Sequence, residues 1–231
     1  MKVLITKNYI LYLFILIYLK SAFANESLNQ FSVEADKSIE YFEKQRIYVA
    51  SGNARALKGN LSINAEKITA FIGKTQKTNM TDIEATGNVI IINNNTVAKS
   101  DFAKYNFKNK IIILKGKSQS VEAKKFKLES KKYISFDDQN KVANSEGDVK
   151  LFLSGPISIF AKKMKANFDK VNNTLITASA YSNVKIQTNL ETITCNSAKY
   201  DTKTNLISLD GNVVIKKGNN LLSGEKGYMN L

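Results

Sequence analysis

The chain reads as an all-β protein, an open antiparallel sheet built from about six repeated two-strand units. Three observations carry that reading. A small residue recurs at the centre of six strand-like runs, at Gly52, Gly87, Gly116, Gly147, Ser182 and Gly211, with gaps of 35, 29, 31, 35 and 29 residues. A period near thirty residues marks one supersecondary unit stacked on itself, each too small to bury its apolar face alone. Around each centre the residues alternate in polarity. Each run is also preceded by a second segment that ends in an aromatic residue and a polar turn.

The alternation can be counted. Two and four residues either side of the centres, 21 of 24 residues are apolar, whereas one and three residues away only five of 24 are. A helix cannot produce a two-residue period, so these are strands with one face inside and one in water. The inward columns are Tyr48, Ile83, Ile112, Ala143, Ala178, Ile207; Ala50, Ala85, Leu114, Ser145, Ala180, Leu209; Ala54, Val89, Ser118, Val149, Val184, Val213; and Ala56, Ile91, Ser120, Leu151, Ile186, Ile215. Glu84, Lys115, Asp148, Lys185 and Asp210 face outward. The small centre falls on the inward row, where glycine marks a bend or a close approach.

The preceding strands end at Tyr41, Tyr105, Phe136 and Tyr200, each 11 residues before its centre, and at Phe71 and Phe168, 16 and 14 before theirs. Polar turn signals follow, at residues 107–110, 137–140, 169–173 and 201–205. The longest loop, Gly73 to Thr81, should be the most mobile. A second cue sits in these strands: Ala35-Asp36, Ala65-Glu66, Ala98-Lys99, Ala161-Lys162 and Ser197-Ala198-Lys199. Six units give about a dozen strands, and segments such as 120–130 can add more.

Composition narrows the chemistry. The chain has 231 residues, a net charge of +14, one Pro, one Cys and no His. Without histidine there is no His-based triad or zinc-protease motif. Cys195 has no partner for a disulfide and reads as a small core residue. Acids such as Glu84 and Asp148 fall on the outward parity, so no catalytic residue, metal site or cofactor is expected. At the N-terminus, Lys2 and Lys7 precede an apolar run from Ile10 to Leu19, followed by Ser21-Ala22-Phe23-Ala24. This is a signal peptide pattern, too short for a spanning helix, with cleavage after Ala24. Residues 1–24 therefore read as a cleaved signal, or otherwise as an uncleaved anchor, and 25–231 as a single domain.

The recurring Ala-x-x-x-x-x-Tyr, turn and Ile-x-Ala-x-Gly-Asn-Val resembles the unit of the LptA/OstA-like family. It stands here as Ile83-Glu-Ala-Thr-Gly-Asn-Val89 and Ile207-Ser-Leu-Asp-Gly-Asn-Val213, with a fainter copy at Val142 to Val149. The resemblance covers about 33–231. It implies an open, twisted β-jellyroll in the periplasm that carries lipopolysaccharide and bridges the inner and outer membranes. Implied partners are LptC-like and LptD-like proteins, joined edge to edge, and a head-to-tail homo-oligomer. Ser182 and Lys117-Ser118 depart from the family pattern and put the local geometry of those turns in question.

Acyl chains would lie on the inward columns, so the candidate trough is Tyr48, Ala50, Ile83, Ala85, Val89, Ile112, Leu114, Val149, Leu151, Val184, Ile186, Ile207, Leu209 and Val213. The same alternation describes an ordinary dry core; the resemblance favours the trough. The lysine clusters 124–127, 131–132, 162–165 and 216–217 read either as phosphate contacts or as a solvated surface. Nucleic acid is excluded as a partner by the secretory signal and the absence of a binding motif. Two other functions remain open: an LptC-like membrane-anchored component of the same pathway, and a structural β-solenoid or adhesin without lipid binding.

Overall fold

Runs that alternate in polarity can bury one face and still satisfy their backbone hydrogen bonds by pairing with neighbouring strands. The computed structural model describes residues 32–74, 80–172 and 174–230; the proposed signal peptide and part of the 73–81 loop lie outside them. One 16-stranded sheet results, antiparallel throughout. Its strands are β1 (Ser32–Glu34), β2 (Ser38–Phe42), β3 (Ile47–Lys58), β4 (Leu61–Ile72), β5 (Met80–Asn93), β6 (Thr96–Asn106), β7 (Ile111–Lys115) and β8 (Gln119–Ala123). The second half holds β9 (Phe126–Ser130), β10 (Tyr133–Asp137), β11 (Val142–Leu153), β12 (Ser158–Phe168), β13 (Leu175–Gln187), β14 (Glu191–Asp201), β15 (Leu206–Lys217) and β16 (Asn220–Asn230). β1 and β2 both lie on β3, β7 and β8 on β6, and β9 and β10 on β11, so each of these pairs is one interrupted strand. The sheet thus has thirteen ranks, about 55–60 Å end to end at the usual strand spacing.

Every rank bends near its middle, and the repeated small residue makes the bend. On β5 three steps separate Thr86 from Val89, whereas two separate Phe102 from Ser100 on β6. The extra residue is a β-bulge. Its two members take positive φ, at Gly52–Asn53, Gly87–Asn88, Gly147–Asp148, Ser182–Asn183 and Gly211–Asn212. Asn and Asp tolerate that region better than other side chains. The small centre is therefore not part of the inner wall, as its parity implied. Ser182 is exposed, and a Cβ added at Gly87, Gly116 or Gly211 would strike the side chain of Glu66, Asp101 or Asn196, a corner residue one strand back.

The bulge also explains why alternation is clear in some strands and broken in others. On β5 the inward residues Ala85 and Val89 are four apart, so the parity survives the corner. On the partner strands the step is three: Ala65 to Ile68, Ser100 to Ala103, Ala161 to Met164, Cys195 to Ala198, all inward and mostly buried. The third unit is the exception. Its corner, residues 116–118, holds one residue more, since Lys115 pairs with Phe102 and Ser120 with Lys99. The inward residues there are Gln119 and Val121, which replace the expected Ser118 and Ser120.

The turns follow from the residue after each aromatic. Asp137 Oδ1 accepts from the amides of Gln139 (3.0 Å) and Asn140 (2.9 Å), and Asp169 Oδ1 from Val171 (2.8 Å) and Asn172 (3.0 Å). Asp201 Oδ1 does the same for Lys203 (2.9 Å) and Thr204 (3.3 Å). A carboxylate that binds the backbone two residues on closes the turn locally.

The six units are two copies of three. The centres 147, 182 and 211 each lie 95 residues after 52, 87 and 116. The left-handed turn residues Arg46 and Lys110 recur at the same offset as Lys141 and Asn205. Even a single turn bond repeats: Phe107 N donates to Thr81 O (3.0 Å) and Thr202 N to Ile176 O (2.9 Å). β16 occupies the place where a third copy would begin.

At Gly147 an added Cβ would lie 2.6 Å from Lys132 Cβ and 2.7 Å from its backbone nitrogen, which cannot move aside. Gly147→Ala is expected to cost about 2–4 kcal/mol in urea unfolding, from the left-handed φ and the overlap together. Ser182→Gly is expected to gain about 0.5–1 kcal/mol at the one bulge where a side chain now holds that φ. Equal effects at both positions would mean that the bulges are not the strained points of the sheet.

Candidate functional site

Bending every rank at one line folds the sheet into two leaves that face each other, and the inward residues align in four rows along its length. The outermost row on the first leaf runs Tyr41, Tyr48, Ala70, Ile83, Tyr105, Ile112, Phe136, Ala143, Ala166, Ala178, Tyr200, Ile207 and Met229 through successive ladders. The aromatics 11 residues before each centre thus land in the same row as the first inward column. Beside this row run Ala50, Ala85, Leu114, Ala180 and Leu209, and across the corner Ala54, Val89, Val149, Val184 and Val213. Ala56, Ile91, Leu151, Ile186 and Ile215 form the fourth row.

The structure brings the candidate residues together. Ala50, Ile83, Ala85, Val89, Leu114, Val149, Leu151, Val184, Ile186, Ile207, Leu209 and Val213 are buried in one continuous apolar cluster, and Ile112 packs on it half-buried. Tyr48 departs from this: it is 44% exposed near the end of the sheet, stacked on Tyr41 at 4.6 Å between ring centres. Half of the wall was missed, because it comes from the partner strands: Ile63, Ile68, Ala103, Leu128, Ile134, Ile159, Met164 and Ile193. The Ala-containing cue does not hold one place relative to the corner. Ala65 and Ala161 precede the corner residues Glu66 and Lys162, but the corners near Ala98 and Ala198 are Asp101 and Asn196. Cys195 is buried in the third row, and burial pushes its thiol pKa up.

The inward rows of the middle ranks pack against each other with little free space. A cavity among Leu151, Ile159, Met164, Ala178, Ala180, Ala198 and Ile207 has about 10 Å³, room for at most one water. It lies where the wall is thinnest, beside Ala143, Ala166 and Ala178 on three adjacent ranks. Over the same stretch the lips of the two leaves meet through Phe126 and Phe168 at 6.3 Å, and Phe168 also packs against Phe136 of its own leaf at 5.7 Å. Small residues within and large rings at the mouth make this the part of the interior most easily refilled.

Outside the corner, polar groups form a second line. Asn53 Nδ2 donates to Asp36 Oδ2 (2.8 Å), Asn88 Nδ2 to Glu66 Oε1 (2.7 Å), and the Lys117 amide to Asp101 Oδ2 (2.7 Å). At the fourth unit the line becomes ionic. Lys162 and Lys131 reach Asp148 at 2.7 and 3.3 Å, and Lys132 and Lys163 reach Glu146 at 3.1 and 3.7 Å. Lysines that read as phosphate ligands are thus held by the protein's own carboxylates. Hydrogen bonds from Lys162 and Lys131 keep the Asp148 pKa below the ordinary Asp value, and Lys132 does so for Glu146.

The family model described as LptA/(LptD N-terminal domain) LPS transport protein matches residues 32–134 and, again, 127–230. The chain belongs to this family. The two matches start 95 residues apart, the offset of the structural duplication, so each copy of three units coincides with one match. Among solved structures the chain is similar to LptH, the LptA-homologous periplasmic component of the conserved lipopolysaccharide transport device from Pseudomonas aeruginosa. That similarity is 13% identity over 64% of this chain and 82% of that chain, with a TM-score of 0.30. No curated protein sequence matches this chain.

Within this LptA-like fold the ionic corner carries a pH signature. Depressed carboxylate pKa values give stability that is complete above the unfolded-state value and is lost as pH falls through the folded one. Carboxyl-carbon NMR is expected to find Asp148 charged at lower pH than an ordinary Asp, and Lys162→Gln is expected to move its titration back up. An unchanged Asp148 titration in that variant would show that the pairing is not made in solution.

Proposed function

We propose that this protein carries lipopolysaccharide across the periplasm of a Gram-negative cell, its acyl chains held between the two leaves of the folded sheet. One observation supports this most: four rows, apolar except at Ser100, Gln119, Ser130 and Ser145, run through all thirteen ranks, and the end ranks leave them uncovered. At one end the inward residues Val33, Ile39 and Tyr41 are exposed, and at the other Leu222 is. Membership of a lipopolysaccharide transport family points the same way. The trough residues are those of the inward rows, including Ile83, Ile112, Val149, Val184 and Ile207. Residues 1–24 act as a cleaved signal peptide and 25–231 as the transport domain.

Bridging of the two membranes follows from the edges. Among the described residues β1–β2 pairs only with β3, and β16 only with β15, so each presents a row of backbone groups without a strand partner there. Such edges invite strand addition. The joint inside the chain supports a head-to-tail mode: β9–β10, the start of the second copy, continues the sheet from β7–β8. LptC-like and LptD-like proteins, or a second copy, would take these edges.

Two experiments test the proposal. Photocrosslinkers at Ile83, Ile112, Val149, Val184 and Ile207 are expected to capture lipopolysaccharide during transport; no adduct at any site would remove the carrier role. Light scattering is expected to show a mass that grows with concentration. A strict monomer over a wide range, together with no binding of an LptC-like partner, would sink the bridge.

A further inference from the structure

Four buried side-chain polar atoms lack a hydrogen-bond partner among the described residues, and three of them lie together: Ser100 Oγ, Gln119 Oε1 and Gln119 Nε2. Gln119 has no exposed surface and Ser100 is 7% exposed. Both stand in the third inward row. β8 pairs with β6 through Ser120 and Lys99, which sets Gln119 beside Ser100, and Gln119 faces Ser130 on β9. Ser130 is satisfied, its hydroxyl donating to the carbonyls of Glu146 (2.6 Å) or Tyr133 (3.0 Å).

The corresponding positions elsewhere are apolar, Ser130 excepted. Where β8 has Gln119, the other units have Ala54, Val89, Val149, Val184 and Val213. Where β6 has Ser100, the second copy has Cys195. Burying a carboxamide without partners opposes folding, and the valine used in the other units would avoid that cost. The apolar rows break in the middle of the molecule, at Ser100, Gln119 and Ser130 around the joint between the two copies and at Ser145 on β11 beside it.

We infer that Ser100 and Gln119 form a polar recognition point within the apolar groove for a hydroxyl group carried on an acyl chain. A hydroxyl both donates and accepts, as do Gln119 through Nε2 and Oε1 and Ser100 through its own hydroxyl. A carboxylate or phosphate fits poorly, because the row supplies no cation and a buried ion needs one. The flanking residues Val89, Val121, Leu128 and Val149 receive the methylenes on either side. This inference rests on the lipid-groove reading above and adds to it a preference among acyl chains.

The test is displacement of a fluorescent fatty acid from the purified protein by tetradecanoic acid and by 3-hydroxytetradecanoic acid. The wild type is expected to favour the hydroxy acid by about three- to tenfold, the worth of one net hydrogen bond. Gln119→Val is expected to lose that preference while keeping its affinity for tetradecanoic acid, and without ligand to melt at a higher temperature than the wild type. Ser100→Ala should reduce the preference. A wild type that treats the two acids alike overturns the inference and leaves the groove. So does a preference that survives in Gln119→Val, or a lower melting temperature for that variant, which would reveal a structural partner for the carboxamide. Failure of both acids to bind overturns the groove and the inference together.

Discussion

Everything in this fold depends on a corner repeated in register. A flat antiparallel sheet of thirteen ranks with one apolar face would leave that face in water. Bending every rank along one line lets the two halves of the face cover each other. The device is local, a bulge of two left-handed residues, and glycine followed by Asn or Asp adopts it most readily. Because the bulges lie in register on successive ranks, several of them hydrogen-bonded to the rank before, as Asn53 is to Asp36 and Asn88 to Glu66, the corners form a line. Displacing a single bulge by one residue would turn half a strand inside out.

The line tolerates local changes that keep the register. Where Ser182 replaces glycine, the φ of 65° is retained and Asn183 follows at 56°. Where the fourth unit has Asp148 for Asn, lysines replace the acid partner and the corner stays tied, now by ions. Where the third unit has no Asn, the corner lengthens and the strand breaks into β7 and β8. The two interrupted ranks that meet at the joint between the copies are the least regular part of the sheet. They are also where the interior turns polar.

Much of this was legible from polarity alone, for a reason particular to the bulge. A bulged strand spends four residues crossing the corner, an even number, so Ala85 and Val89 share a parity and the pattern reads straight through. The partner strand spends three, so Ser100 and Ala103 do not, and a period-two search loses them. That is why half of the groove wall, including Ile68, Met164 and Ile193, escaped notice. It is also why the glycine was placed on the inner wall: parity cannot tell an inward residue from an inserted one. At Gly116 the crossing takes five residues, and the same logic misassigned Ser118 and Ser120. The turns were legible because Asp137, Asp169 and Asp201 close them through their own side chains. The fate of the lysines was not, since nothing in the local sequence places Lys162 beside Asp148, 14 residues earlier.

A tightly packed groove is compatible with the proposed carriage of lipid, because uptake there would be an exchange rather than an opening. Parting the leaves over one or two ranks uncovers a few apolar side chains, at about 1.5–3 kcal/mol for each large one and less for alanine. An acyl chain that enters at the same place covers them again and buries its own methylenes, each about 0.8 kcal/mol. Net cost is lowest where the wall is made of Ala143, Ala166, Ala178, Ala180 and Ala198, where Met164 can adapt its shape, and where only rings at the lips stand in the way. Chains would therefore enter the second copy more readily than the tightly filled ranks of Ile83, Val89 and Ile91. The two copies, alike in fold, thus give two stretches of unequal softness along one groove, with the polar joint between them.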